Sequence, residues 1–285
     1  MQIFLFLPEL ALILMILVLF FASLGKIKAG GLQGMALALA GLAVAASLIA
    51  FNQHGMLFFD AYRVDLYSQV FKVLITSGLF LVVALGPGLR GVEGRLRPEY
   101  YMFIAVSSLG LVFLSSAVEL LTILISLEIS SYALYVVIPF RRDDYCYRIQ
   151  MEAGIKYIMF GASATGLSLY GMSYLFGFAH STYLVDLARV VPGLLVSQPL
   201  AVIGLVLMLC GFFYKLALFP MHFWTPDVYE GAANETTSFV ATLPKVGAVA
   251  LLIRLVSLAG VDLGQFNWVL AVIAVLSMTL GNLSA

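Results

Sequence analysis

Lys72, Glu128, Lys156, Lys215 and Lys245 each lie inside a run of otherwise apolar residues. A charge held at the centre of a bilayer costs about 2.5–3.5 kcal/mol on insertion scales, so such groups are expected to face one another or a wet interior. Burial disfavours the ammonium of a lysine and the carboxylate of a glutamate, moving both toward neutrality. Groups placed together then titrate as a unit. The expected chemistry is proton transfer, with Glu128 supplying or withdrawing the partner charge of a lysine. Lys72 has a second reading, in which its stem lies along apolar surface and its amine reaches the interface. His222 is expected either to relay protons beside Lys215 or to hydrogen-bond at a helix end. Asp227 and Glu230 are expected to cap and fix a loop, and Glu119 to be solvated near the membrane surface.

These residues need elements to hold them. Of the 285 residues, 62% are hydrophobic and 11% charged, with a mean hydropathy of +1.06. Soluble domains carry about 25% charged residues, so too few polar groups are present to cover a water-facing surface. A water-soluble enzyme, a nucleic-acid binder and a disordered chain are excluded. The apolar residues fall in solid blocks rather than the alternation of a barrel strand. At about 20 residues per span plus short loops, the length accommodates about nine helices. The blocks are Phe4–Leu24, Leu32–Phe51, Leu66–Leu85, Tyr101–Ser115, Val118–Phe140, Met151–Phe178, Leu200–Phe219 and Phe239–Leu258, with a ninth beginning near Trp268. The first has no basic residue before it, as a signal peptide would, and is expected to be retained. The fold class is an all-α polytopic membrane protein, a bundle of about 8–9 transmembrane helices.

The seventh block is expected to be broken. Pro220 follows Lys215 closely, and proline removes a backbone donor and ends a helix; the apolar run then resumes as Met221-His222-Phe223-Trp224. Broken helices at mid-membrane line ion sites in transporters. Pro244-Lys245 repeats the theme near the start of the eighth block. Gly154, Gly161, Ala162, Ser163 and Gly166 are expected to let the sixth block pack closely on a neighbour. Gly86-Pro87-Gly88-Leu89-Arg90-Gly91 has dinucleotide-loop spacing but follows a membrane helix rather than a strand, which argues against a cofactor site. Cys146 and Cys210 form no metal or disulfide pattern.

Loop charge orients the bundle. Lys26, Lys28, Arg90, Arg95, Arg97, Arg141, Arg142 and Arg148 follow the first, third and fifth blocks, whereas the loops after the second and sixth hold only Arg63 and Arg189. Basic loops stay inside, so the amino terminus is expected outside, in the inner (plasma) membrane of the cell.

Phe219-Pro220-Met221-His222-Phe223-Trp224-Thr225-Pro226-Asp227-Val228-Tyr229-Glu230-Gly231 resembles the signature of the subunit N family of respiratory complex I, the NADH–quinone oxidoreductase. Ser126-Leu127-Glu128 through Tyr135, Glu152-Ala153-Gly154-Ile155-Lys156-Tyr157, Pro244-Lys245-Val246-Gly247-Ala248 and Pro8-Glu9-Leu10 agree with the same family. Ala233 departs from it, standing where members usually carry proline after Gly-Ala. The resemblance implies an antiporter-like membrane subunit in which Glu128, Lys156, Lys215 and Lys245 form the proton-transfer axis. It also implies a second half with a further buried lysine. The chain therefore reads as an amino-terminal part: residues 1–99 as a three-helix segment, 100–260 as the antiporter-like repeat, and 261–285 as the start of a ninth helix.

The implied function is proton translocation as a subunit of an NADH–quinone oxidoreductase. No cofactor is expected in this subunit; NADH, flavin, iron–sulfur clusters and quinone belong to partner subunits. The expected partners are the other membrane subunits, the lipid bilayer and protons, with no nucleic acid. The alternatives are a subunit of a cation/proton antiporter or membrane-bound hydrogenase, or a non-transporting structural anchor.

Overall fold

The computed structural model describes residues 2–25, 29–85, 91–141, 147–258 and 264–284. Lys26, Lys28, Arg90, Arg142, Cys146 and the Gly86–Arg90 stretch lie outside them. The elements are α1 (Gln2–Leu5), α2 (Leu7–Leu24), α3 (Ala29–Ile49), strands β1 (Gly55–Leu57) and β2 (Tyr62–Val64), α4 (Leu66–Leu85), α5 (Arg97–Ser116), α6 (Leu120–Val137), α7 (Tyr147–Ala179), α8 (Leu184–Ser197), α9 (Pro199–Leu216), α10 (Trp224–Gly231), α11 (Asn234–Leu258) and α12 (Gly264–Ser284). Among the described residues, seven helices are long and apolar enough to cross a membrane.

Helices that are apolar all round are either deeply buried or lipid-facing. Here both occur. Leu12, Met15, Ala36, Leu79, Leu111 and Leu243 close one interior zone, and Leu127, Met172, Leu187, Leu209 and Phe212 a second. Leu14, Leu17, Phe21, Leu48, Leu74 and Leu81 stay exposed on the outside of the same helices. Ala36, Ala40 and Ala43 are fully buried along α3, a small-residue stripe that admits close helix contact. Among the described glycines the tightest approach to another backbone joins α7 to α9. A Cβ on Gly171 would lie 2.2 Å from the Met208 nitrogen, whereas one on Gly166 would meet nothing within 4 Å. The close packing expected of the sixth block is thus real but centred one helical stretch later. Of the small residues named above, Gly161 admits the Tyr135 hydroxyl, and Ala162 and Ser163 are exposed.

Several boundaries differ from the sequence expectation. The first block is interrupted at Phe6, and Pro8 sits in the first turn of α2, where its missing N–H costs nothing. The eighth block begins at Asn234, ahead of the expected Phe239, and passes through Pro244 as one helix, so Pro244-Lys245 marks no break. Residues 184–197, read as loop, form the amphipathic α8. It buries Leu184, Leu187, Val191 and Leu195 and exposes Val185 and Arg189. The β1–β2 hairpin is also absent from the sequence reading. Its turn uses Phe58, Phe59 and Asp60 at φ of 55°, 55° and 66°, without the glycine that signals such turns.

The loops gather on two faces. On one, Tyr62 bridges to Ala117 and Glu119 to Tyr183, and the Tyr183 hydroxyl donates to the Phe59 carbonyl at 2.9 Å. On the other, Val92 bridges to Arg141, and the Arg141 guanidinium donates to the Glu230 carbonyl at 2.5 Å. The hairpin face carries Arg63 and Arg189; Arg95, Arg97 and Arg141 share the opposite face. Glu119, expected to be solvated, is only 7% exposed. It caps α6, accepting from Thr122 N at 2.7 Å and Thr122 Oγ1 at 2.8 Å.

Candidate functional site

α9 ends in mid-bundle because Ala217 adopts the left-handed conformation (φ 57°, ψ 39°). Its amide and that of Leu218 fold back onto the Phe213 and Tyr214 carbonyls. The Phe219–Pro220 peptide is cis. Partners outside the helix complete the end: Trp224 Nε1 adds a second donor to the Tyr214 carbonyl at 3.0 Å, and Phe219 N donates to Ser277 Oγ of α12 at 3.0 Å. Chain direction resumes in α10, with Asp227 in its first turn. The expected break is thus present.

Lys215 lies in the last turn of α9, is 3% exposed, and its Nζ has no hydrogen-bond partner. A cation there is favoured by the negative end of the helix dipole. Glu128 of α6 lines the same narrow cleft, with Ser131, Thr165, Ser168 and Tyr214. The Glu128 carboxylate is held from the other side: Thr165 Oγ1 of α7 donates to Oε1 at 2.6 Å. No ion pair within 4 Å joins Glu128 to Lys215 among the described residues, yet the carboxylate is the charged group that acts on the ammonium. The cleft therefore presents a buried amine and a carboxylate on a hydroxyl tether.

An aromatic wall separates this cleft from the next charged cluster. Tyr135, Tyr157, Tyr214 and Trp224 meet with ring centroids 4.9–5.5 Å apart, and the Tyr214 hydroxyl donates to the Tyr157 carbonyl at 2.9 Å. Beyond the wall, Lys156 Nζ lies 2.8 Å from Glu152 Oε1 and 2.9 Å from Asp227 Oδ1, with its side chain 35% exposed. Asp227 therefore pairs with a lysine as well as favouring the start of α10. Lys245 sits 5.7 Å from the centre of the Tyr229 ring. His222 packs against Phe219 and Phe223, with Nδ1 buried and unpartnered. Glu128 and Lys215 share one cleft; Lys156 and Lys245 stand apart from it.

Lys72 does not reach an interface. It is fully buried and its Nζ is 2.7 Å from Oε1 of the fully buried Glu9. Sequence reading gave Glu9 no partner, although one acid and one base in adjacent apolar blocks is the available signal. The aromatic wall was missed as well, since its members look like ordinary core residues in the sequence.

Residues 117–285 match the family described as "NADH:quinone oxidoreductase/Mrp antiporter, TM". The chain belongs to this antiporter-like membrane family. The match spans α6 to α12, which carry Glu128, Lys156, Lys215 and Lys245. Similar proteins include NADH-quinone oxidoreductase subunit N 2 of Opitutus terrae, 46% identical over 280 residues, and subunit N 2 of Solidesulfovibrio magneticus, 47% identical over 286 residues. These alignments cover 98% and 100% of this chain but 58% and 60% of the relatives. A chain in the structure of respiratory complex I from Thermus thermophilus with bound Aureothin superposes with a TM-score of 0.79 at 31% identity, over 97% of this chain and 58% of that one. This antiporter-like chain therefore spans somewhat over half the length of the relatives it matches.

Proposed function

We propose that this chain forms part of a proton-translocating membrane subunit of an NADH–quinone oxidoreductase, with Glu128 and Lys215 at the transfer step. The carrying observation is Lys215, buried at the broken end of α9 in one cleft with a tethered carboxylate. An opposite charge within about 4–6 Å favours the charged form of an ionisable group. Released from Thr165, Glu128 closes on Lys215 and stabilises the ammonium. Drawn back to Thr165, it removes that support and the amine gives up its proton. Lys156 and Lys245 are the neighbouring acceptors, and His222 a further relay. The reading places NADH, flavin, iron–sulfur and quinone chemistry in partner subunits, and the chain in the plasma membrane with its amino terminus outside. Moving one charge against 100 mV requires about 2.3 kcal/mol, so the drive arrives through neighbouring subunits.

The second reading, a subunit of a cation/proton antiporter, is favoured by the family description, which spans both kinds of protein. One experiment separates the outcomes. Lys215→Ala in the complete subunit is expected to lower protons moved per electron in membrane vesicles driven by NADH, at unchanged abundance of the complex. Full pumping at normal abundance removes Lys215 from the mechanism. NADH-independent, cation-dependent proton exchange supports the antiporter reading instead.

A further inference from the structure

Glu9, Tyr62 and Lys72 come from three separate elements and meet in the interior on the hairpin side. Both members of the ion pair are 0% exposed, and Tyr62 is 2% exposed. The Tyr62 hydroxyl donates a short hydrogen bond to the same Glu9 oxygen that faces Lys72. Its ring lies 5.0 Å from the Lys72 amine.

A clamp alone does not account for this arrangement. Replacing a buried ion pair by apolar residues is often neutral or stabilising, so the pair is weak evidence for stability. Its polar capacity is also only partly used. Glu9 Oε2 has no hydrogen-bond partner, and neither does Oε1 or Nε2 of Gln69, one turn before Lys72 and fully buried. Unmet buried donors and acceptors around an ionised pair are the setting in which ordered water is held. One turn beyond Lys72, Thr76 Oγ1 lies 3.2 Å from Ser47 Oγ, continuing the polar track into the bundle.

The cluster also has an approach from outside. A cavity of about 410 Å³ opens at the hairpin face and is lined by Asp60, Arg63, Asp186 and Arg254. Arg254 of α11 lines that cavity and also acts electrostatically on the Tyr62 phenol, and it binds Asp65 through Nη1 at 3.2 Å and Nη2 at 3.1 Å. The charged and titratable groups linked to the pair are thus Tyr62 of β2 directly and, through Tyr62, Arg254 of α11 with its partner Asp65 ahead of α4.

We propose that Glu9 and Lys72, with Tyr62 and Gln69 as supports, form a second proton-exchange site, distinct from the Glu128–Lys215 cleft and discharging into the polar cavity at the hairpin face. Lys72 passes its proton to the Glu9 carboxylate, and both become neutral. Glu9 then releases that proton to the cavity and regains its charge. The Lys72 amine takes up a proton from the Thr76 and Ser47 side, which restores the ion pair. One proton passes through, and only O–H and N–H bonds form and break.

The inference rests on the proton-translocation reading above, and Lys215→Ala serves as its reference. The test uses the complete subunit in the assembled complex, in vesicles driven by NADH and a short-chain quinone, with protons per electron and complex abundance both measured. Lys72→Arg keeps the ion pair but holds its proton at all accessible pH. It is expected to assemble at normal abundance while lowering the proton yield to within two-fold of the Lys215→Ala value. Normal assembly with normal yield makes the pair a clamp and overturns the proposal. If Lys72→Arg fails to assemble, the double variant Glu9→Gln/Lys72→Met is read in the same way. Failure of both to assemble assigns the pair to folding and equally overturns the proposal. A lowered yield in Lys215→Ala with a normal one in Lys72→Arg removes only this second site. Normal yields in both remove the translocation reading as well.

Discussion

Glu128→Gln preserves size and hydrogen-bonding capacity while removing charge, so it isolates the electrostatic part of the proposed transfer. Proton translocation by the assembled complex in vesicles is expected to fall with Gln and to fall less with Glu128→Asp, which keeps the charge and loses one methylene of reach. Equal pumping by Gln and the unmodified protein assigns Glu128 to packing. At the hairpin face, Asp65 carries a different kind of charge effect. Burial pushes its carboxyl up, but the Arg254 guanidinium and the Ser68 backbone and hydroxyl outweigh that and hold it below the usual carboxylate range. A depressed pKa contributes stability that is complete above the unfolded value, near 4, and is lost as pH falls through the folded value. Thermal unfolding of the purified protein should therefore lose stability on acidification below about pH 4. Asp65→Asn should cost about 1–3 kcal/mol at neutral pH by removing the counter-charge of Arg254, which keeps its bond to the Ser115 carbonyl, and should remove that part of the acid dependence.

The broken helix is held by an indole. Trp224 adds a second donor to the Tyr214 carbonyl, beside the Ala217 amide, and its ring packs against Tyr157 and Tyr214. Trp224→Phe retains most of the packing and loses the donor. The net loss of one buried hydrogen bond is about 0.5–1.5 kcal/mol, so the variant should unfold at slightly lower temperature in detergent. It should also lower pumping per electron, because Lys215 sits one residue from the carbonyl that loses the indole. An unchanged unfolding temperature would show the indole bond to be dispensable. Between α7 and α9 the constraint is steric. A methyl at Gly171 would meet the Met208 backbone at 2.2 Å, and backbone cannot yield as a flexible side chain does. Gly171→Ala should destabilise by about 1–3 kcal/mol, whereas Gly166→Ala, with open space at its Cβ, should be close to neutral. Equal unfolding temperatures for these two variants would contradict the close approach of the helices.

At the scale of the whole molecule, alternate loops meet on opposite faces, as required of a multi-span bundle. The hairpin joins the α5–α6 and α7–α8 connections, while the Val92, Arg141 and Glu230 segments join at the other end. With the charge bias of the loops, this geometry predicts that the hairpin lies outside. A cysteine placed at Phe59, 96% exposed, should react with a membrane-impermeant reagent in intact cells, and one placed at Arg95 should react only after permeabilisation. The reverse pattern inverts the topology.

Fold class and most span positions were legible in the sequence, because a bilayer demands long apolar runs whatever their neighbours. The break after Lys215 was legible because proline acts locally on the backbone. Lys215 and Glu128 stood out as charges in apolar surroundings, a contrast visible without knowing the fold. Pairing was not legible. Glu9 with Lys72, Lys156 with Asp227, and Arg254 with Asp65 join residues far apart in the chain, and only helix packing decides which charges meet. Local signals misled at Pro244, where packing on both sides holds a continuous helix, and at the hairpin, whose turn lacks glycine. Tertiary structure alone also separated the lysines. Residues that look equivalent in the sequence, each a cation in an apolar run, are distributed by the bundle among a closed cleft, an exposed acid pair, an aromatic ring and a buried carboxylate, because each helix can turn only one face to a given neighbour.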